Sequence, residues 1–523
     1  MTSAVASSTV NDTPPGPEAS PRSGAVLRTT ILAGIAALVV LGICAWLDGV
    51  NLDEGWYIVS SRLAATGALP YRDFAYTQSP LLLYALVPSQ WLARGIFSAR
   101  VTSSLCAASG IGLTISTARR LGGKRAAQFS GLLLLCLFPA LPYWLSVTKT
   151  YGLASLFLAA TVAALTCGVR ASVRLPLATA TAAGFALTRT SGAALALFVL
   201  VYCLYAAPDH RTRGRVAVVA AAIGVPCLAL MGLAGDRAVW NLYSYHQWSA
   251  YWASPAVSTL PSRLRQVFVA WPFVSALGIL VFAALLLDRE RSVFDRARSH
   301  PELVVIVAGM AAFVMTHLLG GAFYAEEYVS PLVPTAAMLG VVCAIHLRAV
   351  LPFGDRSVLV TAVVLALLLT PHFGYLHAPG SVESRSAIDG LASCVARNSN
   401  PHDHVFALVM LEAVPAAHRT PVSGTSLGPF SYQDVSTTRA EHLHVLNSEL
   451  VLRALDDPST KVVVLADVDL QLLSFAGWFS QTRVSAAPVN HALMTEYRPV
   501  CAGDVEREFQ IAHATVYVRR ASS

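Results

Sequence analysis

Apolar residues along this chain arrive in long blocks, not in stripes. No charged residue interrupts Thr29 to Leu47, and similar runs recur to about residue 375, most of them closed by an arginine-rich break. About 20 consecutive apolar residues let a helix cross the ~30 Å hydrocarbon core of a bilayer. The pattern predicts a polytopic α-helical membrane protein with about 11 transmembrane helices, roughly at 27–47, 101–118, 126–146, 152–169, 175–188, 192–208, 216–234, 267–287, 302–318, 329–347 and 357–374. The segment 175–188 is short and reads as a half-helix or as one of a tilted pair with its successor. Residues 1–26 are rich in Ser, Thr, Pro and Ala without hydrophobic periodicity, which predicts a disordered N-terminus. The first apolar run starts late and no small-residue cleavage site comes after it, unlike a signal peptide.

Orientation turns on Leu81–Phe97, which has the length of a span but is interrupted by Pro88, Ser89, Gln90 and Arg94. Counting it as a span inverts everything after it. Left inside a long outer loop, 48–100, it lets the dense cationic breaks fall on one side: Arg119…Arg125, Arg170…Arg174, Arg211…Arg215, Arg289…Arg298 and Arg348…Arg356. Positive residues favour the cytoplasmic side. This arrangement predicts a chain in the cytoplasmic membrane with a cytoplasmic N-terminus, a hydrophobic region over 27–376 and a C-terminal region on the outer side.

Beyond about residue 380 the texture changes to that of a small extracytoplasmic α/β domain, 380–523. Ser386–Asn398 and Thr438–Leu455 read as helices. His404–Met410 and Lys461–Ala466 read as strands, the second of the buried parallel type, and His513–Arg519 as a terminal alternating strand. The β–α alternation suggests a Rossmann-like layer, but no G-x-G-x-x-G is present and no nucleotide is assigned. The domain reads as a lid or acceptor-docking module.

Composition sharpens this picture. The chain is 55% hydrophobic and 13% charged, against about 25% charged in soluble domains. The net charge of +7 is mostly punctuation between spans and implies no nucleic-acid partner. Seven of the nine cysteines lie in spans as small apolar packers, and no cysteine or histidine spacing suits zinc. Only Cys394 and Cys501 fall in the outer domain, where a disulfide is permitted.

The chemistry concentrates after the first span, in Asn51-Leu52-Asp53-Glu54-Gly55-Trp56-Tyr57. A helix with Trp56, Val59 and Leu63 on one side comes next, stopped by Gly67. Beyond it lie an extended turn, Ala68-Leu69-Pro70-Tyr71-Arg72-Asp73-Phe74, and a second helix opened by Ser79 and Pro80. An acidic pair at a membrane interface is costly unless used. This order of acidic residue, helix, G-x-L-P-Y-x-D-F and P-L-L-x-Y resembles the first outer loop of GT-C membrane glycosyltransferases, the group of protein O-mannosyltransferases and lipid A aminoarabinose transferases. The specific residues lie mainly between Asp53 and Arg100.

The resemblance implies transfer of a sugar from a polyprenyl-phosphate donor to a cell-envelope glycan, lipid or protein acceptor. Such transfer requires a base for the acceptor hydroxyl and cations for the leaving phosphate, and requires no metal or other cofactor. Asp53 is the base candidate, with helix N-capping as its structural alternative, and Glu54 beside it is either a catalytic partner or a helix-start residue. Arg100, Lys149 and Arg189 stand at outer span ends as phosphate ligands or as snorkelling cations. Arg72 and Asp73 either bind substrate or pair with each other. Gln78 stands where the family often has a basic residue, and Lys149 lies in Val147–Tyr151, where many relatives carry an aspartate. A late acidic loop with Glu326, Glu327 and Tyr328, followed by Ser330-Pro331-Leu332-Val333-Pro334, resembles the family's E-Y-x-x-P-L-x-P and adds substrate-binding candidates. His317 beside it reads as a packed interfacial residue. The aromatics from Trp240 to Trp252 read as an interfacial belt or as a sugar platform. A flippase of lipid-linked saccharide and a non-catalytic scaffold are the alternative functions.

Overall fold

The computed structural model describes residues 23–521 apart from 93–94, 139, 248–258, 272–299, 321–324, 348–377, 478–479, 481 and 508–509. The first half is helical: α1 (Ser23–Leu47), α2 (Glu54–Ala65), α3 (Leu81–Leu92), α4 (Ile96–Cys136), α5 (Ala140–Ser146), α6 (Tyr151–Thr166) and α7 (Ala171–Thr188). Helices Ala193–Ala206, His210–Ala234, Leu260–Ala270, Pro301–Leu319 and Val333–Leu347 come after them. Among the described residues, α1, α4, His210–Ala234 and Pro301–Leu319 are long and apolar enough to cross a membrane, and α5 with α6 makes a fifth candidate bent by 99°. The expected spans at 267–287 and 357–374 lie largely or wholly outside the described residues.

Several boundaries differ from expectation, each for a local reason. The break expected between 101–118 and 126–146 is present within Ile96–Cys136, where Gly122 and Gly123 leave helical geometry, Gly123 at φ +75°, and separate two helices. The last part of 126–146 is a separate helix, α5. The segment expected to be short begins earlier, at Ala171, and α7 has 18 residues. Leu81–Phe97 does not form one spanning helix: α3 has 12 residues, about 18 Å of helix against a ~30 Å core. Gly67 ends α2 with φ +91°, as its position suggested. The Ser79 hydroxyl is engaged with Thr190, 3.1 Å away.

The C-terminal residues build a five-stranded sheet in the order β2-β1-β3-β5-β4, with β1 at His404–Ala407, β2 at Thr420–Pro421, β3 at Thr460–Ala466, β4 at Tyr497–Arg507 and β5 at Gln510–Arg519. The first three pair in parallel, while β5 runs antiparallel to both β3 and β4. The sheet is therefore mixed, and the helix expected across Thr438–Leu455 is two helices. His444 takes the left-handed conformation after Leu443, and Asn447 starts the second helix by accepting from the Leu450 amide. Cys394, on the helix Ala378–Arg397, is disulfide-bonded to Cys501 of β4.

What positions the site is the way this sheet packs on α2 and α3. One hydrophobic cluster runs from Trp56, Ile58, Leu82 and Leu86 into Ile388, Val405, Val409, Leu411 and Val464. Buried Asp469 ties the carboxyl ends of β1 and β3 together by accepting from the Val409 and Ala466 amides at 3.0 and 2.8 Å. The segment that leaves β1 then reaches α2, where a Cβ added to Gly55 would stand 2.7 Å from Glu412 Oε2 and 3.2 Å from Leu411 Cβ. Arg62 donates to the Pro415 carbonyl at 2.9 Å, and Ser426 donates to the Ala75 carbonyl at 3.0 Å. With both spans and sheet against it, α2 is buried on every face through its first two turns, from Glu54 to Ser61. Its burial thus extends well beyond the side that carries Trp56 and Val59.

Candidate functional site

Asp53 begins α2 without capping it: its side chain accepts no hydrogen bond from the helix amides. Its amide instead donates to Asn51 Oδ1 at 3.0 Å. The carboxylate faces the break between α5 and α6, where Lys149 Nζ lies 2.8 Å from Asp53 Oδ2. The same ammonium lies 2.8 Å from Glu327 Oε1, so one cation joins an early loop to a late one. Lys149 is 3% exposed, while Asp53 and Glu327 retain 21% and 17%. The carboxylates therefore keep a face toward open space and the lysine does not.

Aromatic rings surround this trio. Tyr151 donates its hydroxyl to Glu327, and its ring lies 5.9 Å from Lys149 Nζ. On the other side of the site, Arg189 stands 5.0 Å from the centroids of both Tyr151 and Tyr328 and 6.0 Å from that of Phe313. Arg189 is 4% exposed and donates from Nη1 to Thr150 Oγ1 at 3.0 Å. Among the described residues its Nε has no partner and no carboxylate lies within ion-pair distance of it. Stacking on ring faces offsets part of the desolvation of a guanidinium, but a buried cation without a counter-anion is costly. Tyr57 and Tyr245 complete the wall, both close enough to Asp53 to interact with it electrostatically. His246 points Nε2 at the Thr77 carbonyl, 2.8 Å away, and burial lowers its pKa, so it donates as a neutral ring. His317 packs between Phe313 and Tyr328, each 5.0 Å away.

Two expected site residues lie behind this cluster. Arg100, fully buried, gives Nε and Nη2 to the two oxygens of Glu54 at 2.8 and 2.6 Å. Its remaining donors go to the carbonyls of Ala45, Asp48 and Gly49. It has nothing left to offer a phosphate, which corrects its assignment as a phosphate ligand. Glu54 is equally committed, since it also accepts from the Asn51 and Thr148 amides, both at 2.9 Å. Burial would raise its carboxyl, but Arg100 and these amides hold it below its usual range. Glu54 thus pins the α5–α6 break to α1 and α4 and is not a second acid facing the site. Breaking such a buried pair costs about 3–5 kcal/mol. Asp48 sits beside it, buried, its carboxyl pushed up to about 7 chiefly by burial.

The remaining candidates separate cleanly. Arg72 and Asp73 pair with each other through two 2.8 Å bonds on the exposed turn. The Arg72 carbonyl accepts from Arg237 and His444, both at 2.7 Å, which joins the turn to the C-terminal region. Gln78 contributes its carbonyl to the Tyr71 hydroxyl at 2.6 Å. Tyr328 lines the cluster beside Arg189. Glu326 lies in the short helix Ala325–Tyr328, but its side chain is outside the described residues. Of the aromatic stretch, Trp240 to His246 is described, while Trp248, Tyr251 and Trp252 lie outside the described residues. Sequence reasoning gave Asn51, Tyr57 and Tyr151 no role of their own and read Tyr245 only within the aromatic stretch; Asn-x-Asp before a helix and the Lys-Thr-Tyr order after Thr148 were the available signals.

No family model and no curated protein matches the chain. Among solved structures it is similar in fold to ArnT from Cupriavidus metallidurans bound to undecaprenyl phosphate, with a TM-score of 0.58 and 16% identity over 95% of this chain and 98% of that one. The apo state of the same protein matches at 0.58 and 17%, over 94% and 98%. The oligosaccharyltransferase of Archaeoglobus fulgidus in its apo form gives 0.48 and 13%, over 85% and 70%. At these identities the likeness is one of fold: the chain shares the fold of ArnT from Cupriavidus metallidurans.

Proposed function

We propose that this GT-C-fold chain is a membrane glycosyltransferase that moves a sugar from a polyprenyl-phosphate donor to an envelope glycan, lipid or protein on the outer side of the cytoplasmic membrane. The observation that carries this reading is Arg189: a buried guanidinium with no carboxylate partner among the described residues, across Tyr151 from an Asp53–Lys149–Glu327 cluster. A phosphate is the anion that fits such a place, with a lipid chain to hold it at headgroup depth. That ArnT is crystallised with undecaprenyl phosphate agrees with this choice of donor.

In this mechanism the acceptor hydroxyl attacks the anomeric carbon while the bond from that carbon to the phosphate oxygen breaks. Asp53 takes the hydroxyl proton as general base. Arg189 and Lys149 stabilise the charge gathering on the leaving phosphate. Glu327 and Tyr151 hold Lys149 in reach, and the tyrosine rings supply faces for a sugar. Arg72, Asp73 and Gln78 take no part in it.

The test uses purified full-length protein in detergent. Transfer is expected from a polyprenyl-phosphate sugar without nucleotide sugar and with a metal chelator present. Asp53→Asn, which keeps the shape of the side chain, should lower turnover about 10²-fold or more, the usual scale of a lost general base. Near-normal turnover of a well-folded Asn variant removes Asp53 from the mechanism. Transfer from a nucleotide sugar in the absence of lipid carrier refutes the donor assignment.

A further inference from the structure

The assignment of Lys149 to a phosphate meets an obstacle in the geometry itself. Its ammonium is already shared between Asp53 and Glu327, 2.8 Å from each. A base whose lone pairs face an ammonium at that distance is a poor base, and an ammonium so engaged is a poor phosphate ligand. Both defects have one remedy. Arg189, with no anion of its own among the described residues, stands on the same Tyr151 ring that Lys149 approaches.

From this arrangement we infer that Lys149 is a donor-operated cover on the catalytic base: the phosphate that docks on Arg189 draws Lys149 off Asp53, and the base becomes available only once the donor is in place. This deepens the donor reading above and rests on it. The exchange is close to balanced, because the ammonium trades one anion for another at similar distance. Glu327 and Tyr151 keep the lysine from leaving the site altogether, so the movement is a swing of the Asp53 contact and not a loss of the side chain. With the cover lifted, the acceptor's proton passes to Asp53, the sugar's anomeric carbon forms its new bond to the acceptor oxygen, and the electron pair of the broken bond stays on the phosphate. The lipid phosphate leaves with one negative charge more than the donor carried, which both cations are then placed to meet. The binding order is therefore donor first, acceptor second.

Two measurements test it. Electron cryomicroscopy of the full chain, with and without saturating undecaprenyl phosphate, reads the lysine directly. Expected is phosphate density on Arg189 and Lys149, with Lys149 Nζ beyond hydrogen-bond reach of Asp53, more than about 3.5 Å away. Phosphate bound at Arg189 with Lys149 still bridging both carboxylates overturns the cover and leaves the donor reading standing. No lipid phosphate at Arg189 overturns both. The second measurement removes the competing carboxylates with Asp53→Asn and Glu327→Gln, then adds Lys149→Met in that background. Undecaprenyl phosphate should bind about 10-fold more weakly after the lysine is lost, the scale of one charge-assisted hydrogen bond. Equal affinity overturns the proposal.

Discussion

Asp53, Glu54 and Gly55 are consecutive, yet each serves a different part of the molecule. Asp53 faces Lys149 at the site, Glu54 faces Arg100 on α4, and Gly55 makes room for Glu412 of the C-terminal unit. Successive residues of a helix point about 100° apart, so three neighbours can meet three bodies. Two arginines that look alike in sequence separate on the same ground. Arg100 is saturated by Glu54 and three carbonyls, while Arg189 has, among the described residues, one hydroxyl partner and three rings. Arg100→Ala should therefore be a folding variant, leaving Glu54 buried and unpaired at a cost of about 3–5 kcal/mol. Arg189→Ala should fold and lose turnover by about 10²-fold. Size-exclusion profiles and thermal melts in detergent, run beside activity, distinguish the two. A stable but inactive Arg100→Ala would return Arg100 to the site.

Among the elements, α2 is the one held from most directions, and its packing can be probed without touching the chemistry. A methyl at Gly55 would meet the Glu412 carboxylate at 2.7 Å and its amide at 3.0 Å, closer than packed atoms tolerate. Gly55→Ala should push the C-terminal sheet off α2, destabilising the protein by about 1–3 kcal/mol, and Glu412→Ala in the same chain should recover part of that loss. A melt of the single and double variants gives the answer, and no recovery would mean that this contact does not join them. The elements themselves were partly legible. Gly67 as the stop of α2, the buried strand at Lys461–Ala466 and the apolar spans come from residue type and period alone. The two-helix break at His444 did not, because a non-glycine residue there takes a left-handed conformation. Nor did the pairing of Arg100 with Glu54: both look like interfacial charges in sequence, and only packing decides which charge finds which partner. The Asp53–Lys149–Glu327 cluster was legible as separate candidates and illegible as a cluster, since its members are far apart in the chain.

At the scale of the whole molecule, the disulfide closes the largest loop in the C-terminal unit, with a sequence separation of 107 between Cys394 and Cys501. The chain-entropy model gives about 4–5 kcal/mol for a loop of that size, an upper bound before residual unfolded structure is counted. Protein purified without reductant should show seven reactive thiols after denaturation, not all nine, and reduction should lower its melting temperature. Nine reactive thiols would show the bond to be absent. The bond lies late in the chain, and so does much else that α2 depends on. Arg62 waits 353 residues for the carbonyl of Pro415, and Gly55 waits about as long for its neighbours from the segment after β1. A ribosome making this protein delivers the acidic helix near the beginning and its supporting wall near the end. A chain cut short before the sheet would lack the wall that packs on Gly55 and Arg62, so α2 gains its full set of contacts only after the last third of the sequence has been made.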